Sequence, residues 1–186
     1  RIRAHDDHFE TSIDQKKVHD YKYRLPLDSI RFLEVQGDCT LSGVHWGGQY
    51  FQLPFECGFP KGNFASGERL YLSGTPKDNF SFNLLSRNGD ILFHFNPRFN
   101  EKKIVRNSCK NGMWENEERE GAFPFKKNIG FDLVFHNQPY AMQIYFDGQR
   151  ILTFAHRCSD PKRDYVAVRV EGNLEIVALE FDTSHK

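Results

Sequence analysis

Hydrophobic and polar residues alternate with a period of two along much of this chain, which is the pattern of β-strands with one buried face. The clearest run covers residues 91–99, where an isoleucine and three phenylalanines share one face. The opposite face begins with Leu92 and then carries His94, Asn96 and Arg98. We expect the aromatic face to lie in a hydrophobic core and the other face to point outwards.

Similar alternating segments follow along the chain, separated by short turns that contain glycine, proline or asparagine. The segment "RLYLSG" (69–74) is predicted to end in a turn, before a new strand in "NFSFNLL" (79–85). The Asn-Gly pair in "RNGD" (87–90) predicts a hairpin turn into the next strand. Because helical periodicity is scarce and the connections are short, the strands should pair antiparallel. The sequence therefore predicts an all-β sandwich or barrel.

Part of this pattern occurs twice in the chain. "FETSIDQKKVHDYKYR" near the start matches "MQIYFDGQRILTFAHR" near the end without a gap. After a loop that differs slightly in length, "RFLEVQGDCTLSGVHW" matches "VAVRVEGNLEIVALEF". The repeat thus relates residues 9–24 to 142–157 and residues 31–46 to 166–181.

The partial repeat predicts two domains, of which only the second is complete. Residues 1–46 are expected to be the C-terminal portion of a first, incomplete domain, 47–49 a short linker, and 50–186 a complete domain. A third of a β-sandwich cannot close its own core and leaves an unpaired sheet edge. We therefore expect residues 1–46 to self-associate with another chain, or the sequence to be a fragment of a longer protein.

Composition narrows the partners that this chain is expected to have. Lysine plus arginine and aspartate plus glutamate number 25 each, so no net charge favours binding to nucleic acid. No apolar run approaches the roughly 20 residues that a membrane-spanning helix needs, so we expect no membrane insertion. The four cysteines show no CxxC pair or zinc-site spacing, which predicts free thiols and no metal or other cofactor.

The polar face of the strand at 91–99 places an imidazole, an amide and a guanidinium about 6–7 Å apart. Downstream, "NGMWENEERE" supplies Trp114, followed by Glu117 and Arg119 on one face if the segment is extended. A flat aromatic ring and fixed polar groups are typical of sugar sites, because a pyranose has an apolar face and polar hydroxyls. The alternative is an ordinary solvated sheet face beside a charged surface hairpin. The "EKK" segment at 101–103 is interpreted as a solvated loop.

Together, "HFNPRF" (94–99), "VRNS" (105–108) and the Trp-x-x-Glu-x-Arg pattern at 114–119 resemble the signature of the galectin family of β-galactoside-binding lectins. The resemblance covers essentially all of residues 50–182, and residues 1–46 resemble the end of a preceding galectin domain. It implies a tandem-repeat galectin with an antiparallel jelly-roll β-sandwich of the galectin and concanavalin type. It also implies cytoplasmic and extracellular locations, since family members lack a secretory leader.

The resemblance further implies a metal-independent, non-catalytic lectin for lactose- or N-acetyllactosamine-like glycans of glycoproteins or glycolipids. His94 and Arg98 would bond the axial O4 of galactose with Asn96 beside them, while Trp114 would stack on its apolar face. Three further side chains would hold O6 and reach the next sugar, and two such domains would crosslink glycans. The implied carbohydrate-binding residues are His94, Asn96, Arg98, Asn107, Trp114, Glu117 and Arg119.

Three other functions remain open from the sequence alone. A glycoside hydrolase needs two carboxylates about 5–10 Å apart, but Arg119 beside Glu117 favours the ionised form and disfavours its use as an acid. A calcium-dependent lectin needs several converging oxygen ligands, and "NQPY" (137–140) offers no carboxylate. The third is a galectin-fold protein-interaction module with a vestigial sugar site.

Overall fold

The computed structural model describes residues 1–13, 16–39 and 51–182. The chain divides into two units, Arg1–Gly47 and Gly48–Lys186. The predicted linker at 47–49 and the end of the predicted first domain at 40–46 lie outside the described residues.

The first unit contains a three-stranded antiparallel sheet in the order β1-β2-β3. Its described residues expose much apolar surface: Phe32 is 91% exposed, and Ile13 and Val18 are also exposed. The sheet thus leaves apolar side chains of this unit in contact with solvent. Its elements are β1 (Ile2–Ala4), β2 (His8–Ile13), β3 (Lys16–Lys22) and a 3₁₀ helix (Leu27–Ser29).

The second unit is an antiparallel β-sandwich, which confirms the predicted fold class. Its described strands pair in the order β11-β10-β9-β5-β6-β7-β8, and β12 pairs with β5 and β4. No helix among the described residues is long and apolar enough to span a membrane. The strands are β4 (Phe55–Gly58), β5 (Arg69–Leu85), β6 (Ile91–Arg98), β7 (Lys103–Lys110), β8 (Met113–Trp114), β9 (Phe131–Asn137), β10 (Ala141–Phe146), β11 (Gln149–Ala155) and β12 (Ala167–Asp182).

The long strands β5 and β12 belong to both layers of this sandwich. The end of β5, from Phe82 onwards, pairs with β6, whereas its beginning, Arg69–Gly74, pairs with β9. One layer therefore continues through β6, β7 and β8, and the other continues through β9, β10 and β11.

Phenylalanines packed against one another hold the two layers together. Phe82 lies against Phe135 with ring centroids 4.0 Å apart, and Phe93 lies 5.0 Å from Phe154. These rings, together with Phe95, are fully buried, as the alternation at 91–99 predicts. Burying each such side chain stabilises the fold by roughly 1.5–3 kcal/mol. This core fixes which face of β6 points outwards.

The turn predicted after "RLYLSG" is wrong, because residues 69–85 form one continuous strand. Gly74 lies inside β5, between Phe131 of β9 and Ile176 of β12. A Cβ atom added there would lie 2.8 Å from the backbone oxygen of Glu175. The glycine therefore allows a close approach of β12 and does not form a turn.

The hairpin predicted at "RNGD" is present between β5 and β6. Gly89 has a positive φ of 87°, and the Ser86 amide donates to the Asp90 carbonyl at 2.9 Å. Leu92, which the alternation places on the polar face, is instead buried in the core. Irregular pairing at the start of β6 explains this difference, because a β-bulge shifts the alternation by one residue.

Candidate functional site

The outward face of β6 forms the centre of the candidate site. His94 lies directly opposite Asn83 of β5 and Asn107 of β7 in the strand register. The three residues therefore make a polar row across three strands, on the face opposite the phenylalanine core. Two of these residues, His94 and Asn107, belong to the predicted set.

Asn96 has a structural role beside its predicted one. The backbone pairing between β5 and β6 ends at Phe95, and there the Asn96 side chain donates from Nδ2 to the Phe80 carbonyl at 2.6 Å. Pro97 lies just past this point. It has no amide hydrogen, and β6 no longer makes backbone hydrogen bonds to β5 there. The Asn96 Oδ1 atom accepts from Arg98 Nε at 2.7 Å and so orients the guanidinium.

The segment after β8 runs beside β7 and brings the acidic motif to the site. The backbones of Arg106 and Glu118 exchange hydrogen bonds of 2.9 and 2.8 Å. The Arg106 side chain is buried and donates from Nη1 to the carbonyls of Ile104 at 2.9 Å and Glu120 at 2.7 Å. Arg106, which the sequence analysis missed, therefore anchors this segment.

Two arginines and two glutamates form a closed ring of ion pairs above β6. Arg98 Nη2 donates to Glu117 Oε1 at 3.0 Å, and Arg119 Nη1 donates to Glu117 Oε2 at 2.5 Å. Glu101 accepts from Arg119 and also from Arg98 Nη1 at 3.4 Å. Hydrogen bonding to Arg119, and then to Arg98, lowers the pKa of Glu117.

This ring corrects one interpretation of the sequence. Glu101 was expected in a solvated loop, but its carboxylate contacts two predicted site residues, Arg98 and Arg119. Its pKa is lowered, chiefly by the hydrogen bond from Arg119. The sequence gives one signal for this contact: Glu101 lies three positions after Arg98 in a short turn.

Asn107 is buried, and both the nitrogen and the oxygen of its side-chain amide are hydrogen-bonded. Nδ2 donates to the Glu115 carbonyl at 2.9 Å, and Oδ1 accepts from the Ser108 amide at 2.8 Å. Arg157 Nη1 donates to the same oxygen at 3.0 Å, and its Nη2 donates to Glu118 Oε1 at 2.9 Å. Arg157 reaches the site from the loop after β11, so the motif at 94–119 gave no sign of it.

His94 and Trp114 provide the aromatic part of the site. Their ring centroids lie 4.8 Å apart with an angle of 63° between the planes. Trp114 is 53% exposed, so part of the indole is open to a ligand. Burial, with a smaller effect from Arg98, lowers the pKa of His94 to about 4, so the imidazole is neutral at pH 7.

These groups form an open polar surface with one flat ring, which suits a polyhydroxylated ligand. The part of the chain that the structure describes contains no group of three or more His, Cys, Asp or Glu residues placed to hold a metal ion. A cavity of about 650 Å³ lies beside this site, with Arg87, Lys110 and Arg163 in its lining. Its lining includes Arg157 but none of the seven predicted site residues.

Comparisons with known proteins point to one family. A family model described as "Galactoside-binding lectin" matches residues 1–46 and 54–181. The chain is 48% identical to a 32 kDa beta-galactoside-binding lectin of Haemonchus contortus and 47% identical to one of Caenorhabditis elegans. Each match covers 97% of this chain and 64% of the relative, so the chain spans about two thirds of the length of these relatives.

A solved structure agrees with these sequence matches. The crystal structure of the Caenorhabditis elegans galectin LEC-6 superposes with a TM-score of 0.66 at 28% sequence identity. The superposition covers 77% of this chain and 100% of that one.

Proposed function

The chain belongs to the galectin family of galactoside-binding lectins, and on that premise we propose that residues 50–186 bind β-galactosides of the lactose and N-acetyllactosamine type. Galectins are carbohydrate-binding lectins and not enzymes, which removes the hydrolase alternative. The observation that carries the proposal is the exposed Trp114 beside a neutral His94 and an Arg98 fixed by two neighbours.

In this proposal the galactose ring lies against Trp114, with its axial O4 between His94 and Arg98. Arg98 supports this role because Asn96 and Glu117 hold its guanidinium on both sides, so little side-chain entropy is lost on binding. Glucose has its O4 in the other orientation and would leave these groups without their partner. Each hydrogen bond lost in such a site costs about 1–3 kcal/mol, which is enough for selectivity.

The other predicted residues extend the site to either side. Asn107 and Glu117 hold O6 in this proposal, and Asn107 is supported by its position opposite His94 in the strand register. Arg119, with Glu117, reaches the second sugar of a lactose-like disaccharide. The direct contact between Arg119 and Glu117 supports a shared role.

We also propose that residues 1–46 are the end of a first galectin domain, joined by 47–49 to the complete domain at 50–186. The family model supports this because it matches residues 1–46 as well as 54–181. Two domains in one intact protein would crosslink glycoproteins or glycolipids inside or outside cells, with avidity above that of one site. The exposed apolar side chains of the first unit support self-association.

Isothermal titration with lactose in EDTA, with maltose as the control, tests the proposed sugar specificity. We expect lactose to bind with a Kd of about 10 µM to 1 mM and maltose to release no heat. An Arg98→Ala variant should lose the lactose heat and keep its fold. Folded protein that binds neither sugar would contradict the proposal and favour the protein-interaction module instead.

A further inference from the structure

Asn83 lies behind His94 and is not among the predicted site residues. It is 1% exposed and sits on β5, directly opposite His94 in the register. Its side-chain Oδ1 lies 2.6 Å from His94 Nδ1, which is hydrogen-bonding distance. The imidazole therefore has one nitrogen engaged inside the sheet and the other, Nε2, left for the site.

The orientation of the Asn83 amide is fixed by its other neighbours. Nδ2 lies 3.3 Å from Glu171 Oε2 and 3.3 Å from Ser81 Oγ. A carboxylate oxygen accepts hydrogen bonds, so the NH₂ group must face Glu171 and Oδ1 must face His94. A carbonyl oxygen also only accepts, and it therefore requires a hydrogen on His94 Nδ1.

We propose that Asn83 and Glu171 are positioning residues that fix His94 in the tautomer with hydrogen on Nδ1. The Nε2 atom then carries a lone pair and accepts from the O4 hydroxyl of galactose, while Arg98 donates to the same oxygen. This inference deepens the proposed function and, for the role of O4, rests on it. The tautomer itself exists without sugar and can be measured separately.

The experiment is ¹⁵N NMR of the His94 ring in the sugar-free protein at pH 7. We expect wild-type protein to show a protonated Nδ1 and an unprotonated Nε2. The Asn83→Ala variant should show a mixture of tautomers and about fivefold to tenfold weaker lactose binding. The Glu171→Gln variant should show a smaller change in the same direction, because a glutamine amide can donate or accept.

Glu175→Gln is the matched control. It removes a carboxylate from the same strand, whose partner is Lys77 at 3.6 Å, and should change neither the tautomer nor the affinity. A wild-type ring protonated on Nε2, or an unchanged tautomer in both site variants, would overturn the proposal. If Asn83→Ala does not fold, the tautomer measured in Glu171→Gln tests the proposal by itself.

The two proposals can fail separately in this experiment. If the variants show the expected tautomer changes but the wild-type protein does not bind lactose, the sugar site is refuted. The positioning of His94 by Asn83 and Glu171 is then still established. Normal lactose binding with an unchanged tautomer in the variants would refute the positioning role alone.

Discussion

Replacing Glu117 with glutamine should weaken lactose binding without unfolding the protein. The carboxylate accepts from Arg98 at 3.0 Å and from Arg119 at 2.5 Å, so it holds both guanidinium groups in place. Glutamine keeps the shape but has one oxygen and no charge, so one arginine loses its hydrogen bond to residue 117 and keeps its contact with Glu101. Hydrogen bonds to charged groups contribute about 1.5–3 kcal/mol. The Glu117 side chain is 35% exposed, which reduces the expected loss to about 1–1.5 kcal/mol, or about fivefold to tenfold in Kd.

Titration calorimetry with lactose, alongside thermal unfolding, measures both effects. The matched control is Glu175→Gln, which removes a carboxylate that pairs with Lys77 at 3.6 Å and lies opposite Thr75 of β5, away from the site. The control should bind lactose as the wild type does, and both variants should keep their Tm within about 2 °C. A Glu117→Gln Kd within twofold of wild type, or an equal loss in the control, would refute the reasoning.

Three further changes have defined outcomes. Trp114→Ala should weaken lactose binding about tenfold, by calorimetry, because it removes the proposed stacking surface; an unchanged Kd would show that the ring does not contact sugar. Lactose affinity should stay constant from pH 8 to about 5 and fall near pH 4, because the pKa of His94 is lowered to about 4 and that of Glu117 is also lowered. Since the pKa of His94 is lower in the folded state than its ordinary value of 6.5, its contribution to stability is lost as pH falls from 6.5 towards 4, and denaturant titrations should detect this. Phe82→Ala should destabilise the second unit by about 3–5 kcal/mol in urea, since it removes the stack on Phe135, and a loss below about 1 kcal/mol would contradict this packing.

The sequence predicted the two faces of β6 because side chains alternate strictly within a regular strand. Phe93 and Phe95 are buried, and His94 and Arg98 lie on the outer face. The prediction was wrong at the start of the strand, where irregular pairing shifts the alternation: Leu92 is buried in the core, and Ile91, which was expected there, is only partly buried. A bulge of this kind depends on both strands of a pair, so one strand's pattern does not reveal it.

The supporting residues of the site were not predictable in the same way. Asn83, Arg106 and Arg157 come from β5, β7 and the loop after β11, and their contacts depend on register and on how the loops fold. Glu101 depends on the path of a four-residue turn. Asn83 and Arg157 lie outside the motif at 94–119 and become its neighbours only after the sheet is assembled, whereas Glu101 and Arg106 lie inside it and their contacts depend on how it folds.

The crystal structure of the lactose complex tests the central claim most directly. The account predicts galactose on the outer face of β6, with O4 within hydrogen-bonding distance of His94 Nε2 and Arg98 and the ring against Trp114. Galactose bound instead in the cavity lined by Arg87 and Arg163, with Trp114 uncovered, would contradict it.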